Sequence, residues 1–116
     1  MIIKINDKSI GNNSPCFIVA ELSGNHNGKI SNIYKMIDKA KKIGVDAIKI
    51  QTFTADTITL NSNKKDFLLK SDSPWSKYNS LWSLYNKAHT PWNWHNKIFN
   101  YAKKKKVIIF SSPFDE

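Results

Sequence analysis

Three short apolar runs in this sequence each stop in polar side chains able to do chemistry. Cys16-Phe17-Ile18-Val19-Ala20 ends in Glu21, Val45 to Gln51 carries Lys49 and ends in Gln51, and Val107-Ile108-Ile109-Phe110 stops at Ser111-Ser112. A carboxylate after four apolar residues is costly to bury without a cation or hydrogen-bond donors. An ammonium between Ile48 and Ile50 is an unusual guest in a strand. Together with the two hydroxyls, these groups suggest a site for an anionic ligand, with Lys49 countering charge, Gln51 beside it and Ser112 donating a hydrogen bond. The structural alternatives are a Glu21 that caps backbone N–H groups of the next loop and a Lys49 whose stem carries its charge out of the strand end.

Other residues with chemical capacity are more scattered. Asn25 and His26 lie in a polar, glycine-containing connection that runs from Leu22 to Lys29. His89 and His95, six apart, would not share a helical face, and a metal site within these residues alone is not expected. Trp75, Trp82, Trp92 and Trp94 fall beside Leu81, Leu84 and Ile98 and read as core or interface rather than as base-stacking platforms.

The elements that must position the strand ends follow from the hydrophobic pattern. Ile33, Ile37, Ala40 and Gly44 recur at helical spacing opposite Lys35, Lys39 and Lys42, which predicts a helix over 30–43 with Gly44 at its C-terminal stop. Strand, helix and strand within residues 16–51 make a βαβ unit. Residues 52–73 have no sustained period and are expected to form a long loop. Leu81, Leu84, Tyr85 and Ala88 share one helical face. Thr90-Pro91 then reads as an N-cap with proline at the first helical position, opening a helix that runs to Lys103. Ahead of the main fold, Ile2 to Ile5 and Ser9-Ile10 flank Asn6-Asp7-Lys8 as a β-hairpin. This division gives residues 1–15 as hairpin and linker and residues 16–116 as one α/β unit. Alternation of this kind implies a parallel sheet, either a barrel or a doubly wound sheet, in which sites form at the C-terminal edge of the strands.

Composition narrows the function classes. The chain has 116 residues and a net charge of +9, and all 18 basic residues are lysine. A small basic nucleic-acid-binding protein is the alternative of a different class, but the absence of Arg, which supplies the bidentate fork for phosphate and guanine, favours a solvated lysine surface and no nucleic-acid partner. One cysteine excludes an internal disulfide. No apolar run approaches the ~18 residues needed to cross a bilayer, and the first residues lack the pattern of a signal peptide. No membrane association and a cytoplasmic location are the expectation.

Phe17-Ile-Val-Ala-Glu-Leu-Ser-Gly-Asn-His-Asn-Gly28, Ala47-Ile-Lys-Ile-Gln-Thr-Phe53 and Phe110-Ser-Ser-Pro-Phe114 resemble the N-terminal barrel motifs of the N-acetylneuraminate synthase family. Asp56-Thr-Ile-Thr-Leu-Asn61 and Leu84-Tyr-Asn-Lys-Ala-His-Thr-Pro-Trp-Asn-Trp-His95 look like its pseudaminic acid synthase branch, with legionaminic and N-acetylneuraminic acid synthases as same-family alternatives. The resemblance implies a (β/α)8 TIM barrel enzyme that condenses phosphoenolpyruvate with 2,4-diacetamido-2,4,6-trideoxy-L-altrose to give pseudaminic acid and phosphate. It implies that Lys49 and Ser112 bind phosphoenolpyruvate, that Glu21 contacts the amino sugar, and that Asn25, His26 and Gln51 belong to the substrate-binding set. It also implies a divalent metal, Mn2+ or Mg2+, held by residues on later strands, and a homodimer for the full-length enzyme. A complete barrel takes about 250 residues, so the expectation is an N-terminal fragment of the synthase: an incomplete barrel, inactive alone and exposed at its sheet edge.

Overall fold

A computed structural model describes residues 2–116. Its first element is a hairpin of β1 (Ile3–Ile5) and β2 (Lys8–Ile10), antiparallel with Ile3 opposite Ile10. The two-residue turn is made possible by Asn6, which adopts the left-handed conformation that asparagine tolerates (φ 51°).

The main sheet has three parallel strands in the order β3 (Val19–Glu21), β4 (Ala47–Thr52), β5 (Ile108–Pro113). No two of them pair antiparallel, as a barrel segment requires. Each is joined to the next by helical connections. α1 (Ile30–Ile43) links β3 to β4, and α2 (Ala55–Ile58), α3 (Leu81–Ala88) and α4 (His95–Lys104) lie between β4 and β5. The fold is therefore a mixed α/β unit of barrel type, with three of the strands that such a barrel needs.

Helix α1 follows from its pattern. Ile33, Ile37 and Ala40 are all buried, and Gly44 ends the helix at φ 81° with its N–H on the Ala40 carbonyl at 3.1 Å. A glycine is needed there because the left-handed conformation carries no Cβ penalty for it. Its buried stripe meets Ile48 and Ile50 of β4 and Ile98 and Ala102 of α4, which with Leu22 form the core. Burying a side chain of this size is worth about 1.5–3 kcal/mol. On the outside, Tyr34 of α1 stacks on Tyr101 of α4 at 4.3 Å, and the Tyr101 hydroxyl donates to Asp38 at 2.8 Å.

Four expectations are corrected. First, β3 is shorter than the apolar run at 16–20, because residues 16–18 stay outside the ladder, with Cys16 exposed and Ile18 57% exposed. Second, residues 52–73 are not an unbroken loop. The Thr54 N–H donates to Thr57 Oγ1 at 2.9 Å at the start of α2, and a single 3-10 turn forms at Lys65–Phe67. Third, Pro91 is extended (ψ 131°) rather than helical. A 3-10 turn at Trp92–Trp94 precedes α4, and Thr90 is buried. Fourth, β5 does not stop at Ser111 but pairs with β4 through Ser112 and Pro113.

The hairpin is tied to the N-terminal edge of the sheet by Asp46. Its carboxylate pairs with Lys8 and accepts the Ile18 N–H at 2.6 Å. These two donors hold the Asp46 carboxyl below the usual carboxylate range, the Lys8 contact contributing most.

Candidate active site at the C-terminal strand edge

Successive residues of a strand point to opposite faces, and parallel neighbours in register point to the same face. Ile48 and Ile50 enter the helix-covered core, so Lys49 and Gln51 stand on the other face of β4. Register places Glu21 beside Lys49 and Ser112 beside Gln51. The four residues singled out at the strand ends thus occupy one face and one edge of the sheet. The Lys49 ammonium donates to Glu21 Oε1 at 2.9 Å, with side chains 29% and 47% exposed. Glu21 is therefore the partner of Lys49, neither a backbone cap nor a free carboxylate.

The pair of hydroxyls is split by the extension of β5. Ser112 lies on the face of Lys49 and Gln51, whereas Ser111 turns to the helix side and donates to the Ile50 carbonyl at 3.2 Å. Three groups that the sequence did not bring together meet there. Thr52 Oγ1 lies 2.7 Å from Ser111 Oγ and 2.7 Å from His95 Nε2, the first residue of α4. No sequence signal could have paired residues 43 apart through a helix start and a strand end.

Asn25 and His26 sit in the loop that follows β3. Asn25 is exposed and its amide donates to the Leu22 carbonyl at 3.2 Å. His26 is 1% exposed, with its ring edge-on to Trp94 at 5.4 Å. Its Nδ1 accepts the Gly28 N–H at 3.1 Å, and its carbonyl accepts from the Asn32 amide at 2.9 Å. Nε2 makes no well-formed hydrogen bond. Burial lowers the His26 pKa, the Ala88 carbonyl at the end of α3 acts in the opposite sense, and His89 lowers it further. Neither residue hydrogen-bonds to Glu21, Lys49, Gln51 or Ser112. What His26 does here is pin the loop between β3 and α1.

A cation and a carboxylate held together, flanked by an amide and a hydroxyl on an open sheet face, can receive an anion. The ammonium supplies charge, the hydroxyl and amide supply donors, and the carboxylate is left to accept from hydroxyls of a second ligand. Among the described residues no three His, Cys, Asp or Glu side chains gather as a cation ligand set, and no helix is long and apolar enough to cross a membrane.

Comparison with known proteins gives a consistent picture. The model of the NeuB family matches residues 36–116. The chain is 51% identical over 98 residues to the pseudaminic acid synthase of Campylobacter jejuni, an alignment covering 84% of this chain and 28% of that protein. It is 43% identical over 100 residues to the pseudaminic acid synthase of Helicobacter pylori, covering 86% and 29%. In three dimensions it matches the crystal structure of N-acetylneuraminic acid (sialic acid) synthetase from Leptospira borgpetersenii in complex with citrate. That match has a TM-score of 0.76 and 26% identity, and covers 99% of this chain and 35% of that one. The chain spans less than a third of the length of the curated relatives it matches.

Proposed function

The chain belongs to the NeuB family, and on that premise we propose that it supplies the first substrate-binding strands of a pseudaminic acid synthase. The observation that carries the reading is the Glu21–Lys49 pair at the C-terminal edge, with Gln51 and Ser112 on the same face.

In this reading Lys49 and Ser112 hold the phosphate or carboxylate of phosphoenolpyruvate. The anion takes over the Lys49 ammonium from Glu21, and the freed carboxylate then accepts hydroxyl or amide protons of the open-chain 2,4-diacetamido-2,4,6-trideoxy-L-altrose. Gln51 orients whichever ligand lies between them. Held in this order, C3 of phosphoenolpyruvate forms the new carbon–carbon bond to the sugar aldehyde carbon, and the aldehyde oxygen takes a proton. Water adds to the former enol carbon, and phosphate leaves by cleavage of its C–O bond. The products are a nine-carbon 2-keto acid sugar and inorganic phosphate. Holding two ligands in contact geometry converts a bimolecular encounter into a positioned one.

The divalent cation implied by the resemblance finds no ligand set among the described residues.

The test is phosphate release by a polypeptide in which these residues stand in a closed barrel. Release should require both phosphoenolpyruvate and the diacetamido-trideoxy sugar, with 18O from water appearing in the keto acid rather than in phosphate. Equal turnover of N-acetylmannosamine would move the assignment to another branch of the family.

A further inference from the structure

A chain of side-chain contacts behind the strand edge runs from His95 Nε2 through Thr52 Oγ1 and Ser111 Oγ to the Ile50 carbonyl. It ends on the Ile50 carbonyl, which can only accept, and only a Ser111 Oγ proton directed there keeps that 3.2 Å contact. Toward Thr52, Ser111 must then accept, and the Thr52 proton is committed to it at 2.7 Å. Toward His95, Thr52 has only lone pairs left, so His95 Nε2 carries a proton and donates across 2.7 Å. A second observation agrees. His95 Nδ1 is buried without a partner, and a buried N–H lacking an acceptor is far rarer than an idle lone pair. Reversing the chain would strand an N–H at Nδ1 and lose the Ile50 contact as well.

This chain ties the start of α4 to two strands at one level. Thr52 follows Gln51 in β4, Ser111 precedes Ser112 in β5, and Gln51 and Ser112 are register partners on the opposite face. Locking Thr52 to Ser111 on the helix side fixes the relative height of Gln51 and Ser112 on the other.

We infer that His95 is a positioning residue: as an Nε2–H donor it orders the Thr52–Ser111 hydroxyls and so sets the spacing of Gln51 and Ser112. That these two then meet phosphoenolpyruvate rests on the function proposed above.

Two measurements test the inference independently of that function. Long-range 1H–15N correlation on the chain should show His95 protonated at Nε2, and a neutral ring protonated at Nδ1 alone would overturn the direction of the chain. Amide exchange at Gln51 and Ser112 should rise roughly five- to ten-fold in His95→Phe, the effect of losing one hydrogen bond of about 1 kcal/mol. His95→Gln, whose amide can reach the same hydroxyl, should stay within about two- to three-fold of the parent, since a replaced donor keeps the bond. Equal exchange in His95→Phe and the parent would overturn the inference, and so would a His95→Gln as fast as His95→Phe. If His95→Phe does not fold, Thr52→Val decides in its place, because it removes the shared hydroxyl and keeps the shape. In an active polypeptide His95→Phe should raise KM for phosphoenolpyruvate by roughly five- to ten-fold with kcat within about two-fold. A loss confined to kcat would overturn the inference. If the parent itself consumes no phosphoenolpyruvate, the proposed function fails and the resonance and exchange data still decide the role of His95.

Discussion

Glu21 and Lys49 are register partners on adjacent parallel strands and are joined by an ion pair of 2.9 Å on an open face of the sheet. A pair this exposed contributes about 0–1 kcal/mol to stability, so the fold alone gives little reason for a lysine between two buried isoleucines. Lys49→Met keeps the stem and removes the charge. Unfolding in urea should therefore shift by no more than about 1 kcal/mol. In the active polypeptide, kcat/KM for phosphoenolpyruvate should fall roughly ten- to a hundred-fold, the loss of a charge-assisted contact of ~1.5–3 kcal/mol. Unchanged kcat/KM would make Lys49 an ordinary strand-end lysine.

What could be read from the residues, and what could not, divides along a physical line. Helix α1 was legible because its buried face repeats at a single period and Gly44 supplies the stop. The strand cores were legible because parallel strands covered by helices read as apolar runs. The end of β5 was not, since Ser-Ser-Pro reads as a turn. Yet Pro113 can sit opposite Thr52 because β5 is the last strand of the described sheet, where a missing N–H costs no ladder bond, and Phe114 N–H completes the pairing on the Thr52 carbonyl at 3.1 Å. That boundary decided which serine faces the site. Glu21, Lys49, Gln51 and Ser112 could be singled out from sequence because polarity at a strand end is local, and register puts them on one face, whereas the Thr52–His95 contact is made by tertiary packing alone.

Gly24 is required for a reason other than backbone freedom. A Cβ at this position would stand 2.7 Å from the Ala88 carbonyl oxygen and 3.2 Å from the Ala88 Cβ, at the end of α3. A backbone oxygen cannot swing aside, so Gly24→Ala must part the β3–α1 loop from α3. We expect a loss of about 1–3 kcal/mol in urea unfolding, the range for overpacking. A parent-like midpoint would show that the loop can shift without cost.

Asp46 links the hairpin to the sheet, and its depressed pKa makes that link sensitive to acid. For a carboxyl whose folded pKa lies below its unfolded value, the stabilisation is fully present above about pH 4 and is lost as pH falls through the folded value. Amide protection in β1 and β2, measured relative to the intrinsic exchange rate at each pH, should fall over that acid range in the parent. Asp46→Asn should show the lower protection already at neutral pH, with no further fall below about pH 4 from this group. Exchange in the hairpin that is the same in both proteins at neutral pH would remove Asp46 as the tether.

His26 acts with the opposite charge and at a higher pH. Its ring is buried against Trp94, and burial holds its pKa below the ordinary value of 6.5. The unfolded chain therefore binds a proton at a pH where the folded chain does not, and stability must fall as pH drops through about 6.5, levelling only below the folded pKa. His26→Asn places an amide oxygen where Nδ1 accepts the Gly28 N–H and cannot titrate. It leaves space beside Trp94, so it should be less stable at neutral pH. The informative quantity is the slope. Urea unfolding of both proteins between about pH 5 and pH 8 should give a difference in stability that is flat above pH 7 and shrinks toward acid, because only the parent loses stability there through this group. A difference that stays constant across the range would mean that His26 carries its proton equally in both states, and that its burial has no electrostatic consequence.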